Sequence, residues 1–288
     1  MKKTTQLRKL IEKDGIIVSP GIYDCLSARL AQNAGFKMVG ITGAGLAASL
    51  LGYPDVGITS MSEVLNQTRN IVNSVEIPVF ADCDTGFGNP LNVYRTIQEF
   101  EAAGVAGLFI EDQTYPKRCG HFENKQLIST EEMSMKIEAA LDARRDPDLV
   151  IMARTDARAV FGLEAAIERA QAYVTAGADM IFIEAPQTVE ELKQVAKAVD
   201  VPSMANMVEG GKTPIVSVQE LEKMGFKFAS FSGSAQKIAL NAMGELFECL
   251  MKTGGLAEVL DKIASLSKRS ELLGLHRFYE MEKKYSVR

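Results

Sequence analysis

Histidine is scarce in this chain, and so is paired cysteine. The two histidines, His121 and His276, are all that 288 residues contain. That count nearly excludes a histidine-based metal centre and leaves oxygen ligands for a hard cation if a metal is bound. The four cysteines, Cys25, Cys83, Cys119 and Cys249, lie far apart without a CxxC pair. Neither a zinc site nor a disulfide framework is indicated. No basic block occurs, and the net charge is −5, spread along the chain. Nucleic acid and anionic membrane surfaces therefore fall away as partners. No apolar run reaches transmembrane length, and no signal-peptide core follows Met1 to Lys9. The expectation is a soluble, cytoplasmic protein.

What is present is a hydrophobic content of 47%, enough for a large core, at a length that suits one α/β barrel without a second domain. A weak repeat supports that architecture. Asn33–Ile41, Ala102–Glu111, Thr175–Glu184 and Lys223–Phe231 each end an amphipathic helical pattern, pass a glycine (Gly35, Gly104, Gly177, Gly225) and begin a short apolar run. Further strands are predicted at Ile16–Ser19, Pro78–Asp82, Leu149–Ala153 and Val201–Ala205, with helices such as Leu91–Ala103, Glu131–Ala143, Leu163–Ala176 and Val189–Val199. Strands alternating with helices imply a parallel sheet, and eight of them imply a closed (β/α)8 TIM barrel. Ser234–Lys252 and Leu256–Lys284 then add helices that a plain barrel does not need. They pack either on another subunit or back on their own barrel.

Barrels of this kind work at the C-terminal ends of their strands. Polar residues collect at five consecutive predicted strand ends: Asp82 and Asp84, Glu111 and Asp112, Arg154 and Asp156, Glu184, then Asn206 and Glu209. Asp82, Asp84 and Glu111 form an oxygen-rich cluster suited to Mg²⁺. Asp84-Thr85-Gly86 would equally cap a loop. Cys119 sits in KRCGH beside Lys117, Arg118 and His121, and neighbouring positive charge is expected to lower its pKa. The segment Tyr115–Lys125 lacks apolar periodicity and reads as a mobile loop that closes over the barrel mouth. The GITGAGL run, Gly40–Leu46, is a poor dinucleotide site. It could hold a carboxylate with its amides and Thr42, or it could be a tight turn.

Taken together, ADCDTGFG, EDQTYPKRCGH, ARTDA, IEAP and NMVEGGKTP resemble the isocitrate lyase / phosphoenolpyruvate mutase superfamily over nearly the whole chain. That resemblance implies a Mg²⁺ cofactor, with Mn²⁺ as the alternative. Asp82 and Asp84 match the metal carboxylates, and Glu111 and Asp55 match groups acting through water. Cys119 and Gly120 match a catalytic gating loop, with His121 and Arg154 as further candidate catalytic groups. Thr42, Gly43 and Ala44 match the turn binding the α-keto-acid end. Arg154, Glu184, Asn206 and Arg269 match other substrate positions. The resemblance also implies a homotetramer in which the 234–288 segment swaps onto a neighbouring subunit.

KRCGH is similar to the carbon–carbon lyases of that superfamily rather than to its phosphonate mutases. Retro-aldol cleavage of a malate-like acid leaves a carbanion that a thiol at Cys119 can protonate. NMVEGGKTP points to a substituted malate, with 2-methylisocitrate next, since Gln236-Lys237 stands where methylisocitrate lyases carry an arginine. Carboxyvinyl-carboxyphosphonate phosphorylmutase, another phosphonate- or oxaloacetate-directed activity, and a catalytically idle oligomeric scaffold are the competing readings.

Overall fold

In a computed structural model, residues 1–286 are described. Eight parallel strands run β1 (Ile17–Ile22), β2 (Val39–Ile41), β3 (Val79–Asp82), β4 (Gly107–Glu111), β5 (Val150–Thr155), β6 (Met180–Ile183), β7 (Met204–Asn206) and β8 (Phe228–Phe231). They pair in the order β6-β5-β4-β3-β2-β1-β8-β7. The ring closes between β6 and β7 through a single parallel bridge, Ile181 to Ser203. This is the expected (β/α)8 barrel.

The helices are α1 (Lys3–Glu12), α2 (Cys25–Asn33), α3 (Gly43–Leu46), α4 (Met61–Ser74), α5 (Pro90–Ala102), α6 (Thr130–Ala143), α7 (Ala157–Phe161), α8 (Leu163–Thr175), α9 (Val189–Val195) and α10 (Val218–Met224). After the barrel come α11 (Ser234–Thr253), α12 (Leu266–Leu272) and α13 (Leu275–Tyr285). Side-chain caps begin many of them: Asp24, Ser60, Asn89 and Ser217 each form a reciprocal capping box. The repeat's four glycines all have positive φ, from +87° to +109°, as helix-stopping residues should.

Strand parity sorts the side chains. On β5, Val150 and Met152 join the barrel-interior cluster, while Ile151 and Ala153 join the layer between sheet and helices. Phe80 on β3, Phe109 on β4, Phe182 on β6, Met204 on β7 and Phe228 on β8 also face inward. Leu7 of α1 belongs to this interior cluster, with Leu10 and Ile11 packed against it. An N-terminal helix therefore plugs the barrel floor, which the sequence reading did not anticipate.

Other expectations need adjustment. β5 runs two residues past Ala153, because Arg154 is an inward site residue rather than a strand terminator. Helix α9 stops at Val195, where its bonds tighten to the i to i+3 kind (Ala198 N–H to Val195 O). GITGAGL is neither a plain turn nor a phosphate loop. It becomes the short helix α3, running into a π-helical turn, Ala47–Leu51. Helix α11 buries only Cys249, leaving Ile238, Leu240, Phe247 and Met251 exposed. Helix α12 lies against α2, where Arg29 Nη1 donates to Leu272 O. Among the described residues, no helix is long and apolar enough to cross a membrane.

Gly107 is a packing constraint. A Cβ there would sit 2.4 Å from the Phe80 ring and 3.0 Å from Val150 Cβ. Gly107→Ala should destabilise the barrel by about 1–3 kcal/mol, the usual cost of overpacking a dense core. Urea unfolding with an unchanged midpoint would refute this.

Candidate active site

Parity continues to the strand tips. Two residues beyond Phe80, Phe109, Met152, Phe182 and Met204 come Asp82, Glu111, Arg154, Glu184 and Asn206. Gly21, Thr42 and Ser232 complete the ring at the ends of β1, β2 and β8. Apart from Glu111, which lies buried directly behind Arg154, all of these line a cavity of about 310 Å³ in the barrel mouth. Asp55, Ala44, Cys119, Gly120, His121, Glu209 and Lys237 line it as well.

Asp112 is the first correction. It follows Glu111 by one residue, so it points outward. There it accepts from Thr155 Oγ1 (2.7 Å), Tyr173 Oη (2.8 Å), Arg169 Nη1 (3.1 Å) and the Asp156 amide (3.0 Å). It shapes the end of β5 and does not reach the cavity.

Arg154 is the hub of the inner ring. Its Nε lies 2.9 Å from Asp156 Oδ2 and 3.3 Å from Glu111 Oε2, and its Nη2 lies 3.4 Å from Glu184 Oε2. Ser232 Oγ donates to Asn206 Oδ1 (2.9 Å), and Asn206 Nδ2 donates to Glu184 Oε2 (3.3 Å). Ser232 was not anticipated. Counting two residues on from the inward Phe228 and Ser230 would have found it.

The Asp82–Asp84 pair is crowded. Asp84 adopts φ 48°, uncommon for a non-glycine residue, and its amide donates to Asp82 Oδ1 (3.0 Å). The Gly43 amide donates to Asp82 Oδ2 (3.0 Å), so it serves that carboxylate. Burial and the adjacent Asp84 push the Asp82 carboxyl up to about 6. Burial also drives Glu111 well above the usual carboxylate range, against the pull of Arg154 and Lys117. Asp84 Oδ1 and both Glu111 oxygens are buried without an aligned hydrogen bond.

These residues suit a hard divalent cation. Asp82, Asp84, Glu111, Asp156 and Glu184 are buried together against three buried cations, Lys117, Lys125 and Arg154, a formal surplus of two negative charges that the raised Asp82 and Glu111 pKa values relieve in part. Among the described residues, no three His, Cys, Asp or Glu side chains converge to cage an ion by themselves. Mg²⁺ does not require a protein cage, since it keeps waters and takes substrate oxygens.

The 115–125 loop lies across the mouth. Its stems pair, with the Thr114 amide donating to Gln126 O (2.8 Å) and Gln113 bridging to Leu127. The Cys119 amide donates to Asp55 O (3.1 Å). Lys117 is not a solvated loop charge. Its Nζ is buried 2.5 Å from Asp55 Oδ1 and 2.8 Å from Asp84 Oδ1. Hence it does not lower the Cys119 pKa. Burial pushes that thiol up, against the pull of the His121 amide and Arg154, and the nearby Asp55 and Glu184 carboxylates add to the rise. The expectation of a reactive, near-neutral thiol is thus overturned. His121 Nδ1 accepts from the Lys212 amide (3.1 Å), and its Nε2 lies 3.6 Å from Glu184 Oε1. Burial lowers its pKa, so it is mainly neutral.

Arg269 is exposed on α12 and does not reach this cavity, because the chain has already left the barrel mouth along α11. At the rim, Lys237 Nζ donates to Glu209 O (2.5 Å), and Gln236 Nε2 donates to Gly45 O (3.1 Å).

A family profile described as phosphoenolpyruvate phosphomutase matches residues 7–251. The chain is 42% identical over 287 residues to 2,3-dimethylmalate lyase of Eubacterium barkeri, covering 100% of this chain and 99% of that one. It is 43% identical over 280 residues to 2-methylisocitrate lyase of Aeropyrum pernix, covering 97% and 90%. The structure of oxaloacetate acetylhydrolase with the inhibitor 3,3-difluorooxalacetate superposes with a TM-score of 0.94 at 36% identity, covering 98% of this chain and 97% of that one.

The raised thiol pKa sets a chemical expectation. The nucleophile in alkylation is the thiolate, so Cys119 should react with iodoacetamide at pH 7 more slowly than a free cysteine does, and speed up as the pH is raised. Peptide mass spectrometry showing rapid labelling of Cys119 at pH 7 would contradict it.

Proposed function

This chain belongs to the phosphoenolpyruvate mutase/isocitrate lyase superfamily, and from that premise we propose that it is a Mg²⁺-dependent carbon–carbon lyase. Its substrate is a substituted malate, cleaved to an α-keto acid such as pyruvate and a second carboxylate. The observation that carries this reading is the position of Cys119. A half-buried thiol, its pKa pushed up by its surroundings, faces the cavity from the loop that covers Arg154, Glu184 and the Asp82–Asp84 pair.

In the reaction the bond between C2 and C3 breaks, and its electron pair goes to the carbon beside the departing carboxylate. Cys119 Sγ–H delivers a proton to that carbon, while the C2 hydroxyl becomes the keto oxygen by giving its proton to solvent; the Cys119 thiolate takes a proton back from solvent, so none is gained or lost overall. A thiol whose pKa is raised remains available as an acid at neutral pH. Arg154 pairs with a substrate carboxylate, and Glu184 and Asn206 orient it. The Ala44 amide at the start of α3 and Thr42 support the α-keto-acid end. Mg²⁺, held by Asp82 and Asp84 with Glu111 and Asp55 acting through water, would supply Lewis-acid stabilisation of that end.

Two features favour a dicarboxylate over a tricarboxylate. The Lys237 ammonium at the rim is engaged by Glu209, so no uncommitted cation faces a third carboxylate there. The cavity floor is apolar, lined by Phe109, Phe182, Met204 and Phe228, which suits an alkyl substituent. The exposed apolar side chains of α11 are proposed to pack on a second copy of the chain, which would also bring Arg269 towards a neighbour's site.

The test is pyruvate release from a panel of substituted malates, 2-methylisocitrate and oxaloacetate. A substituted malate should be turned over best. Conversion of oxaloacetate to oxalate and acetate alone would replace the lyase reading by a hydrolytic one. Cys119→Ser should cost about a hundredfold or more in kcat, as for loss of a general acid. Near-normal cleavage by that variant would remove Cys119 from the mechanism. Mg²⁺ and oxalate together should raise the melting temperature more than either alone, and the absence of such coupling would argue against the metal site.

A further inference from the structure

Lys125 has no part in the chemistry above, yet its side chain is 1% exposed. Burying an ammonium is costly unless it is paired and hydrogen-bonded, so its partners define its role. Nζ lies 3.0 Å from Asp156 Oδ1 and also donates to the Gly120 carbonyl. Asn124, with φ 59°, makes the turn that aims Lys125 inward, while Phe122, Glu123 and Asn124 remain exposed.

Both partners matter. Gly120 brings the loop backbone tightly against the site. A Cβ there would fall 2.4 Å from Arg154 Nη2 and 2.5 Å from Glu184 Cγ. Asp156 is the carboxylate that grips Arg154 from two sides, through Nε at 2.9 Å and Nη2 at 3.2 Å. A single oxygen, Oδ1, receives both Arg154 and Lys125. Without Lys125, Arg154 would face Asp156 and Glu184 alone, one cation against two carboxylates, with Glu111 behind it. An anionic substrate entering that cluster would meet a net negative surround.

We infer that Lys125 is a positioning residue that couples loop closure to anion binding at Arg154. Its ammonium clamps the Gly120 carbonyl, which fixes Cys119 above the cavity. The same ammonium balances Asp156, so that Arg154 can accept a substrate carboxylate. Lys117 performs the parallel task at the other end of the loop, between Asp55 and Asp84. The loop therefore carries positive charge into the site as it closes. This rests on Cys119 being a loop-borne acid, but two of its three readouts need no turnover.

The experiment compares native enzyme with Lys125→Gln and Lys125→Arg. Glutamine keeps a donor and removes the charge. Arginine keeps the charge and alters the reach. The readouts are hydrogen exchange at the Cys119 and Gly120 amides, affinity for oxalate with Mg²⁺ present, and kcat against KM on the substrate found by the panel. Lys125→Gln should speed exchange at both amides and weaken oxalate by about tenfold, the scale of one lost charge contact. Lys125→Arg should bind oxalate within about threefold of native, yet lose kcat by about a hundredfold, as for a displaced catalytic group. Native exchange and oxalate affinity in Lys125→Gln would overturn the inference. Equal oxalate affinity in the two variants would overturn its charge-balancing half. If Lys125→Gln does not fold, Lys125→Arg still decides the clamp, since native exchange and kcat in it would refute positioning. A failure of the lyase reading would show as no turnover by native enzyme, with the exchange and oxalate effects intact.

Discussion

The site depends on a surplus of buried negative charge at the C-terminal mouth of the barrel. Five carboxylates, Asp82, Asp84, Glu111, Asp156 and Glu184, are buried there with Lys117, Lys125 and Arg154. Such a cluster is unfavourable unless each charge is paired or exchanged for a proton, and the raised pKa values of Asp82 and Glu111 express that stress. Arg154 alone touches three of the five. Its guanidinium can do so because it is planar, permanently charged and rich in directed donors. The rest of the mouth is arranged around the remaining imbalance, which is what a divalent cation and an anionic substrate would resolve between them.

The covering loop takes part in this balance rather than merely excluding water. Two of its lysines are buried among barrel carboxylates, and Cys119 lies between them in the chain. A low-dielectric site strengthens both the attractions and the penalties. Closing such a loop is therefore an electrostatic event as well as a steric one. The same burial that pairs the lysines pushes the Cys119 thiol up, so shelter and the proposed acid role would have a common origin.

Scaffold residues behind the ring support this geometry. Asp112 ties together Thr155, Asp156, Arg169 and Tyr173 on the outer face of β5, and so sets the turn that presents Asp156 to Arg154. A buried carboxylate with four donors is satisfied, and its value is positional. The helix α1 plug below and the loop above leave a cavity that is charged at the top and apolar at the floor. That division is the basis for the proposed dicarboxylate bearing an alkyl group.

From sequence, eight strands, their order of alternation with helices, and the positions of Asp82, Glu111, Arg154, Glu184 and Asn206 at strand ends were all legible. Apolar runs bounded by glycine are local signals, and the barrel's symmetry converts strand ends into one place. Strand parity, also local, would have separated inward Glu111 from outward Asp112 and found Ser232. The partners of Lys117 and Lys125 were not legible, nor was the direction of the Cys119 pKa. KRCGH reads as cationic along the chain, yet Lys117 finds its carboxylates 62 and 33 residues away, at Asp55 and Asp84. Charge adjacency in sequence is not adjacency in space, and desolvation exists only once the chain has closed around the group. The sequence by itself determined which chemical groups were available and on which strands. Only the tertiary structure decided which of those groups neutralise one another and which are left to act.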